Sequence, residues 1–258
     1  MKEETHIGMN RTGIQMSPFD TTAMTTPPTS EIPATPGSES ALAQMRSLYI
    51  AEADTLGSVP VPGTVKGVLT TGVSMLTGNN PEILLDKLGE RLAFERTSTR
   101  LYDALLTKVE TLQEGTTSMT LGELRKIRDE EFRHFTMVAA AIESLGGDPT
   151  SQTPCADLVG VESMGLMQVI TDPRTTLAQS LHAILVAEMT DNNGWELLIV
   201  LAEDQGQMSM MADFSVALDR ERAHLQMVQT WFEEATIGQA ISNEAVDEAE
   251  SPPSQQLH

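Results

Sequence analysis

Cysteine is nearly absent from this chain of 258 residues. The one thiol, Cys155, excludes an intramolecular disulfide and any metal site built from four cysteines. Such usage fits a reducing compartment. Aromatic side chains are also scarce, at 4%. A sheet sandwich draws heavily on them, whereas helix-on-helix packing by Leu, Ala and Met does not, and the chain has 15 Met. Basic residues are few: 16 Lys and Arg against 37 Asp and Glu leave a net charge of -21. A phosphate-binding surface needs basic patches, so nucleic acid is not an expected partner. The same acidity can attract cations. No run approaches the ~18 apolar residues of a membrane span. The opening MKEETHIGMNRTG has no apolar stretch of the kind a secretion signal needs. The expected compartment is the cytoplasm.

What is present divides into one domain with flanking segments. Residues 1–40, with TTAMTTPPTSEIPATPGSES, have the composition of a disordered arm. Residues 41–80 read as a helical extension. In it, a short helix over about 40–56 is capped by Ser38 or Ser40, and a mildly apolar segment runs from Val65 to Leu76. That segment has one Lys and no basic face, which argues against a membrane-surface role. Residues 81–236 hold four long helical patterns, and residues 237–258 read as an acidic disordered tail. The first helix is expected from Pro81 to Gln113. The second starts near Thr120, with Glu123 placed as in a capping box, and stops at Gly146-Gly147-Asp148-Pro149. The third is expected from Asp172 to Glu203, with Pro173 at its start, and the fourth from Gln207 to Thr236. Residues 147–171 form a longer connection between the second and third, with room for a short helix.

Each of the four patterns has an apolar stripe at spacings of three and four, and each stripe is interrupted by ionisable groups. The first reads Leu85, Leu88, Leu92, then Glu95, then Thr99, Tyr102, Leu106, Val109. The second reads Leu121, Leu124, Ile127, then Glu131 and His134, then Val138, Ile142, Leu145. The third passes from Leu177, Leu181 and Ile184 through Glu188 to Trp195, Leu198 and Ala202. The fourth passes from Met211, Phe214 and Leu218 through Glu221 and His224 to Val228 and Trp231. Burying a lone carboxylate is expensive, and carboxylates gathered together raise one another's pKa. Two divalent cations would carry +4 against the -4 of the four carboxylates.

An internal repeat underlies this pattern. Asp129 to Val138 and Asp219 to Val228 share D-x-E-x-x-H-x-x-M-V. Glu95 precedes Glu131 by 36 residues, and Glu188 precedes Glu221 by 33. Each half thus supplies one single Glu and one Glu-x-x-His pair, whose members share a helix face. This constellation resembles the ferritin-like di-iron carboxylate superfamily, which includes bacterioferritins and rubrerythrins. The resemblance spans about residues 82–235. It implies an all-α, ferritin-like four-helix bundle of two hairpins joined by a long crossover between helices 2 and 3, with extra N-terminal helical segments. It further implies that Glu131 and Glu221 bridge two iron ions, with Glu95 and His134 on one and Glu188 and His224 on the other. Manganese and zinc suit the same donors.

The expected function is a di-iron oxidoreductase acting on ferrous iron, oxygen or peroxide. The alternatives are a non-catalytic metal-binding or stress protein, an iron-storage ferritin and a manganese catalase. The N-terminal segments fit a closed storage shell poorly, and self-association stays open. A rubrerythrin-type electron-transfer module would need four more cysteines, so a redox-active site draws on an external electron donor. Around the six groups, Asp191 is read as lining a wet mouth with Asn192, ahead of acting as an extra ligand. Tyr102 is read as a core residue with a satisfied hydroxyl, ahead of bonding a ligand or carrying an electron. Glu130 is either a solvated charge or a partner that orients a histidine. Asp129 and Asp219 are read as surface residues, His182 as structural and Cys155 as an idle thiol.

Overall fold

The computed structural model describes residues 17–26, 38–60, 81–112 and 117–250, and for residues 239 and 241–250 it gives the backbone alone. Every element among the described residues is a helix, as the shortage of aromatics implies. The chain divides into two units. One spans Glu3–Thr55 and contains α1 (Pro18–Thr25) and α2 (Glu39–Glu52). Helix α1 falls inside the arm expected to lack structure. Helix α2 is capped by Ser38, whose Oγ accepts from Ala41 N at 3.0 Å. Neither helix buries a residue. The segment from Val65 to Leu76 lies outside the described residues.

The other unit, Leu56–His258 with Met1–Lys2, holds six described helices. They are α3 (Pro81–Leu112), α4 (Leu121–Ser144), α5 (Pro154–Glu162), α6 (Met164–Thr171), α7 (Leu177–Asp204) and α8 (Met208–Glu250). Helix α4 starts with the expected capping box: Glu123 N donates to Thr120 Oγ1 at 3.1 Å, and Thr120 N donates to Glu123 Oε2 at 2.9 Å. Helix α7 starts later than expected. Asp172 Oδ1 accepts from Arg174 N at 2.8 Å and closes a turn around Pro173. The helix then starts behind a second capping box, made by Thr176 and Gln179. Helix α8 runs to Glu250, well past Thr236. From Gln239 to Glu250 the sequence has neither Gly nor Pro and is rich in Ala and Glu, which are good helix formers, and Pro252-Pro253 follows. The long connection folds into α5 and α6, both packed on α3. Thr153 caps α5 and lies directly over Gly89 of α3, at a spot where any side chain on residue 89 would collide with it.

Helix α3 packs on α4 and α7, α8 packs on α7, and α4 meets α8. Two apolar clusters are distributed along these four helices. One includes Tyr102, Leu105, Leu124, Ile127, Leu181, Ile184, Val228 and Trp231. The other includes Leu88, Val138, Ile142, Trp195, Leu198, Phe214 and Leu218. Helices α3 and α8 pass from the second cluster to the first, and α4 and α7 pass from the first to the second. The stripe interruptions fall between the two clusters on α4, α7 and α8, and on α3 Glu95 lies at the changeover, directly after Phe94 of the first cluster. No described helix is long and apolar enough to cross a membrane.

Candidate metal centre

The six residues that interrupt the stripes are at most 2% exposed. They form two overlapping groups that can hold metal ions. Glu95, Glu131, His134 and Glu221 make one, and Glu131, Glu188, Glu221 and His224 the other. Within each group, one ligand atom per residue lies within 4.8 Å of all the others. Glu131 and Glu221 belong to both. The two helices that supply them, α4 and α8, each present a Glu and a His three residues apart on one face. Glu221 spans the centre: its Oε1 lies 2.5 Å from His134 Nδ1, and its Oε2 lies 3.2 Å from His224 Nδ1. Glu131 Oε1 is 3.2 Å from the same His224 nitrogen. The imidazole ring centroids are 6.4 Å apart.

Buried polar atoms ordinarily find hydrogen-bond partners. Here both carboxylate oxygens of Glu95, together with Glu131 Oε2 and Glu188 Oε2, make none. The residues that carry them all belong to the two ligand groups. Without cations the cluster is electrostatically strained. Burial, reinforced by Asp191, Glu131 and Glu221, pushes Glu95 well above the usual carboxylate range despite Arg91. Burial, with Glu131 and Glu221 adding to it, does the same to Glu188. Burial also raises Glu221, but the two histidines outweigh it and hold the carboxyl down at about 2. Burial lowers His224, yet Glu131, Glu221 and Glu188 push it up to about 12. Protons thus do part of the neutralising that cations would do. A set of carboxylate oxygens and imidazole nitrogens suits first-row divalent metals, so the residues present fit a metal pair.

The surroundings orient these groups. Tyr102 is buried and its hydroxyl donates to Glu188 Oε1 in a short hydrogen bond. It is both a core tyrosine and a partner of a site carboxylate. Glu130 is buried rather than solvated. Its Oε2 lies 2.9 Å from His224 Nε2, which turns the Nδ1 of that ring inward, and its Oε1 accepts from Arg220 at 2.8 Å. Asn192 Nδ2 donates to the backbone carbonyls of Glu188 and Glu221, at 2.9 and 3.1 Å, and ties α7 to α8. The wet mouth expected at Asp191 and Asn192 is not there. Asp191 is 1% exposed and ion-paired with Arg91.

Arg91 escaped the sequence reading altogether. It is buried one turn before Glu95, and that i to i+4 spacing within the amphipathic segment LLDKLGERLAFE was the available signal. Asp129 and Asp219 lie at the surface, as expected. His182 is exposed, its ring 5.4 Å from that of Phe232. Cys155 is half-buried, and burial, with Asp86 beside it, pushes its thiol up to about 11. A cavity of about 100 Å³ lies between α4 and α8, bounded by Glu130, His134, Met137 and Val216. No protein family, curated protein or solved structure matches this chain.

Proposed function

We propose that α3, α4, α7 and α8 form a ferritin-like four-helix bundle, with α5 and α6 as its crossover, that holds two divalent ions, iron in the first instance. We further propose that the protein is an oxidoreductase acting on ferrous iron with dioxygen or peroxide. The observation that carries this reading is the sharing of Glu131 and Glu221 between two buried ligand groups, which also contain carboxylate oxygens without hydrogen bonds. The opposed directions of the helices and the long connection between α4 and α7 support the fold assignment. Glu131 and Glu221 would bridge, Glu95 and His134 would complete one ion's ligands, and Glu188 and His224 the other's.

When bound, paired iron supplies two electrons at one place, which is what reduction of dioxygen or peroxide requires. The chain's own residues set the conditions. The apolar clusters on either side exclude bulk water. The Tyr102 hydroxyl fixes one oxygen of Glu188 and leaves the other facing inward. Glu130 keeps the proton of His224 on Nε2 and its Nδ1 available to a cation. The cavity beside His134 has the volume of a few waters, enough to admit a small oxidant and too little for an organic substrate of drug size. A single cysteine cannot build a four-cysteine electron-transfer module, so electrons to reset the site come from another molecule.

The test is metal analysis of protein purified without oxygen, followed by ferrous titration in an oxygen electrode. Two iron ions per chain with oxygen-dependent loss of ferrous ion are expected. Bound iron with no oxygen consumption would reduce the site to a structural one. Rapid dioxygen release from peroxide by a manganese-loaded form would mark a catalase instead. A chain that takes up no metal would overturn the whole reading.

A further inference from the structure

A buried arginine lies against this cluster without belonging to either ligand group. Arg91 is 3% exposed, and its guanidinium lies over the Phe94 ring, 4.6 Å from the centroid, and 5.8 Å from that of Trp195. Its Nη1 donates to Asp191 twice, to Oδ1 in a short ion pair and to the backbone carbonyl at 3.0 Å. Its Nε lies 3.5 Å from Glu95 Oε1. The guanidinium therefore splints α3 to α7. Opposite it stands Gly194, in the interior of α7, where glycine costs about 1 kcal/mol against alanine. The reason for it is steric. A Cβ at that position would come within 2.8 Å of Arg91 Nη1 and 3.0 Å of its Cζ.

Asp191 is a further buried carboxylate of this region, besides the four of the ligand groups and Glu130. It follows Glu188 by three residues, so both lie on one face of α7, and its Oδ2 is buried with no hydrogen bond. Yet it contributes to neither ligand group. With Glu130 paired to Arg220, the remaining five carboxylates and the Arg91 guanidinium sum to -4, which two divalent ions and two neutral imidazoles would balance. Without the guanidinium the sum would be -5, and the nearest cation available to Asp191 would be the metal.

We propose that Arg91 is a positioning residue that holds Asp191 out of the metal ligand set, with Gly194 as the recess that admits its guanidinium. A lysine there has no planar fork with which to reach both Asp191 and Glu95. This inference rests on the metal-pair reading, and the experiment separates the two. Co²⁺ is titrated into the metal-free full chain and its visible absorption recorded for the unaltered protein, Arg91→Met, Asp191→Asn and the double variant. The unaltered chain is expected to bind two Co²⁺. Arg91→Met should still bind two, with altered band positions and intensities as a further carboxylate oxygen joins. Asp191→Asn alone should keep the unaltered spectrum, because an amide still accepts from Arg91 and the aspartate was not a ligand. The double variant should return to that same spectrum, a rescue that a merely structural role for Arg91 would not produce. Asp191→Asn keeps the guanidinium partnered, so it tests the inference even where Arg91→Met fails to fold. A changed spectrum in Asp191→Asn, or an unchanged one in Arg91→Met, overturns the inference alone. Absence of Co²⁺ uptake by the unaltered chain overturns it together with the metal-pair reading.

Discussion

Glu131 and Glu221 differ from the other acidic residues of the cluster in one respect that experiment can count. Each belongs to both ligand groups, whereas Glu95 and Glu188 each belong to one. Glu131→Ala and Glu221→Ala are therefore expected to lose both ions, and Glu95→Ala only one. Metal content after dialysis, by mass spectrometry, checks this; two ions retained by Glu131→Ala would mean that the bridge lies elsewhere. Glu130 makes a different prediction. It touches no proposed ion but orients His224 through Nε2. Glu130→Ala should keep the stoichiometry and weaken binding by about 10–100-fold, as loss of such outer partners does. Competition with a chromogenic chelator measures it. The six central residues were legible because each is a charged or imidazole group in the middle of an otherwise apolar stripe. Arg91 and Asp191 were not. An arginine on a helix usually extends its head to water, and only the recess at Gly194 on a distant helix makes burial sensible. Such a recess belongs to packing, which one strand of letters does not record.

At the scale of the helix, capping chemistry decided what could be read. Thr120 with Glu123 fixed the start of α4 because both partners of the box are explicit in the sequence. The start of α7 was misjudged because Pro173 suits a turn as well as a first helical turn, and Asp172 closes the turn. The end of α8 was misjudged because an acidic, alanine-containing stretch has the composition of a tail and the propensity of a helix. The seating of α5 on α3 rests on Gly89, which nothing local distinguishes from a helix-weakening glycine. Thr153 occupies the place of its missing side chain. Gly89→Ala would gain helix propensity yet is expected to destabilise by about 1–3 kcal/mol through overpacking. Denaturant unfolding gives the sign: a stabilised variant would show that Thr153 moves aside freely.

For the whole molecule, the cluster links stability to pH and to metal. The raised Glu95 and Glu188 contribute stability that is complete below their ordinary value of 4.5 and is lost as pH rises through their folded pKa. The raised His224 acts in the same sense, complete below 6.5 and lost progressively toward about 12. The lowered Glu221 acts oppositely, but only as pH falls from 4.5 toward about 2. The metal-free protein should therefore melt at lower temperature as pH rises above 6.5. Metal should remove that dependence, and its uptake should release protons and tighten with pH. Calorimetry with and without chelator tests both, and a metal-free protein whose melting temperature climbs over this range would contradict the electrostatic account. At 100 times Kd, one bound ion adds about 2.7 kcal/mol. The surplus of 21 negative charges on the chain raises the local concentration of cations at low ionic strength and so favours their capture.

The position of Glu221 has a consequence for how the protein fills. Its two oxygens face different imidazoles, one from each half of the repeat. On the proposed two-ion reading, the first guest to arrive would draw one oxygen to itself and, because the carboxylate is a rigid planar unit, aim the other at the vacant half. Occupation would then proceed as a single event rather than two. Empty and full molecules should dominate at equilibrium, and a half-filled one should be the rarest form in the tube.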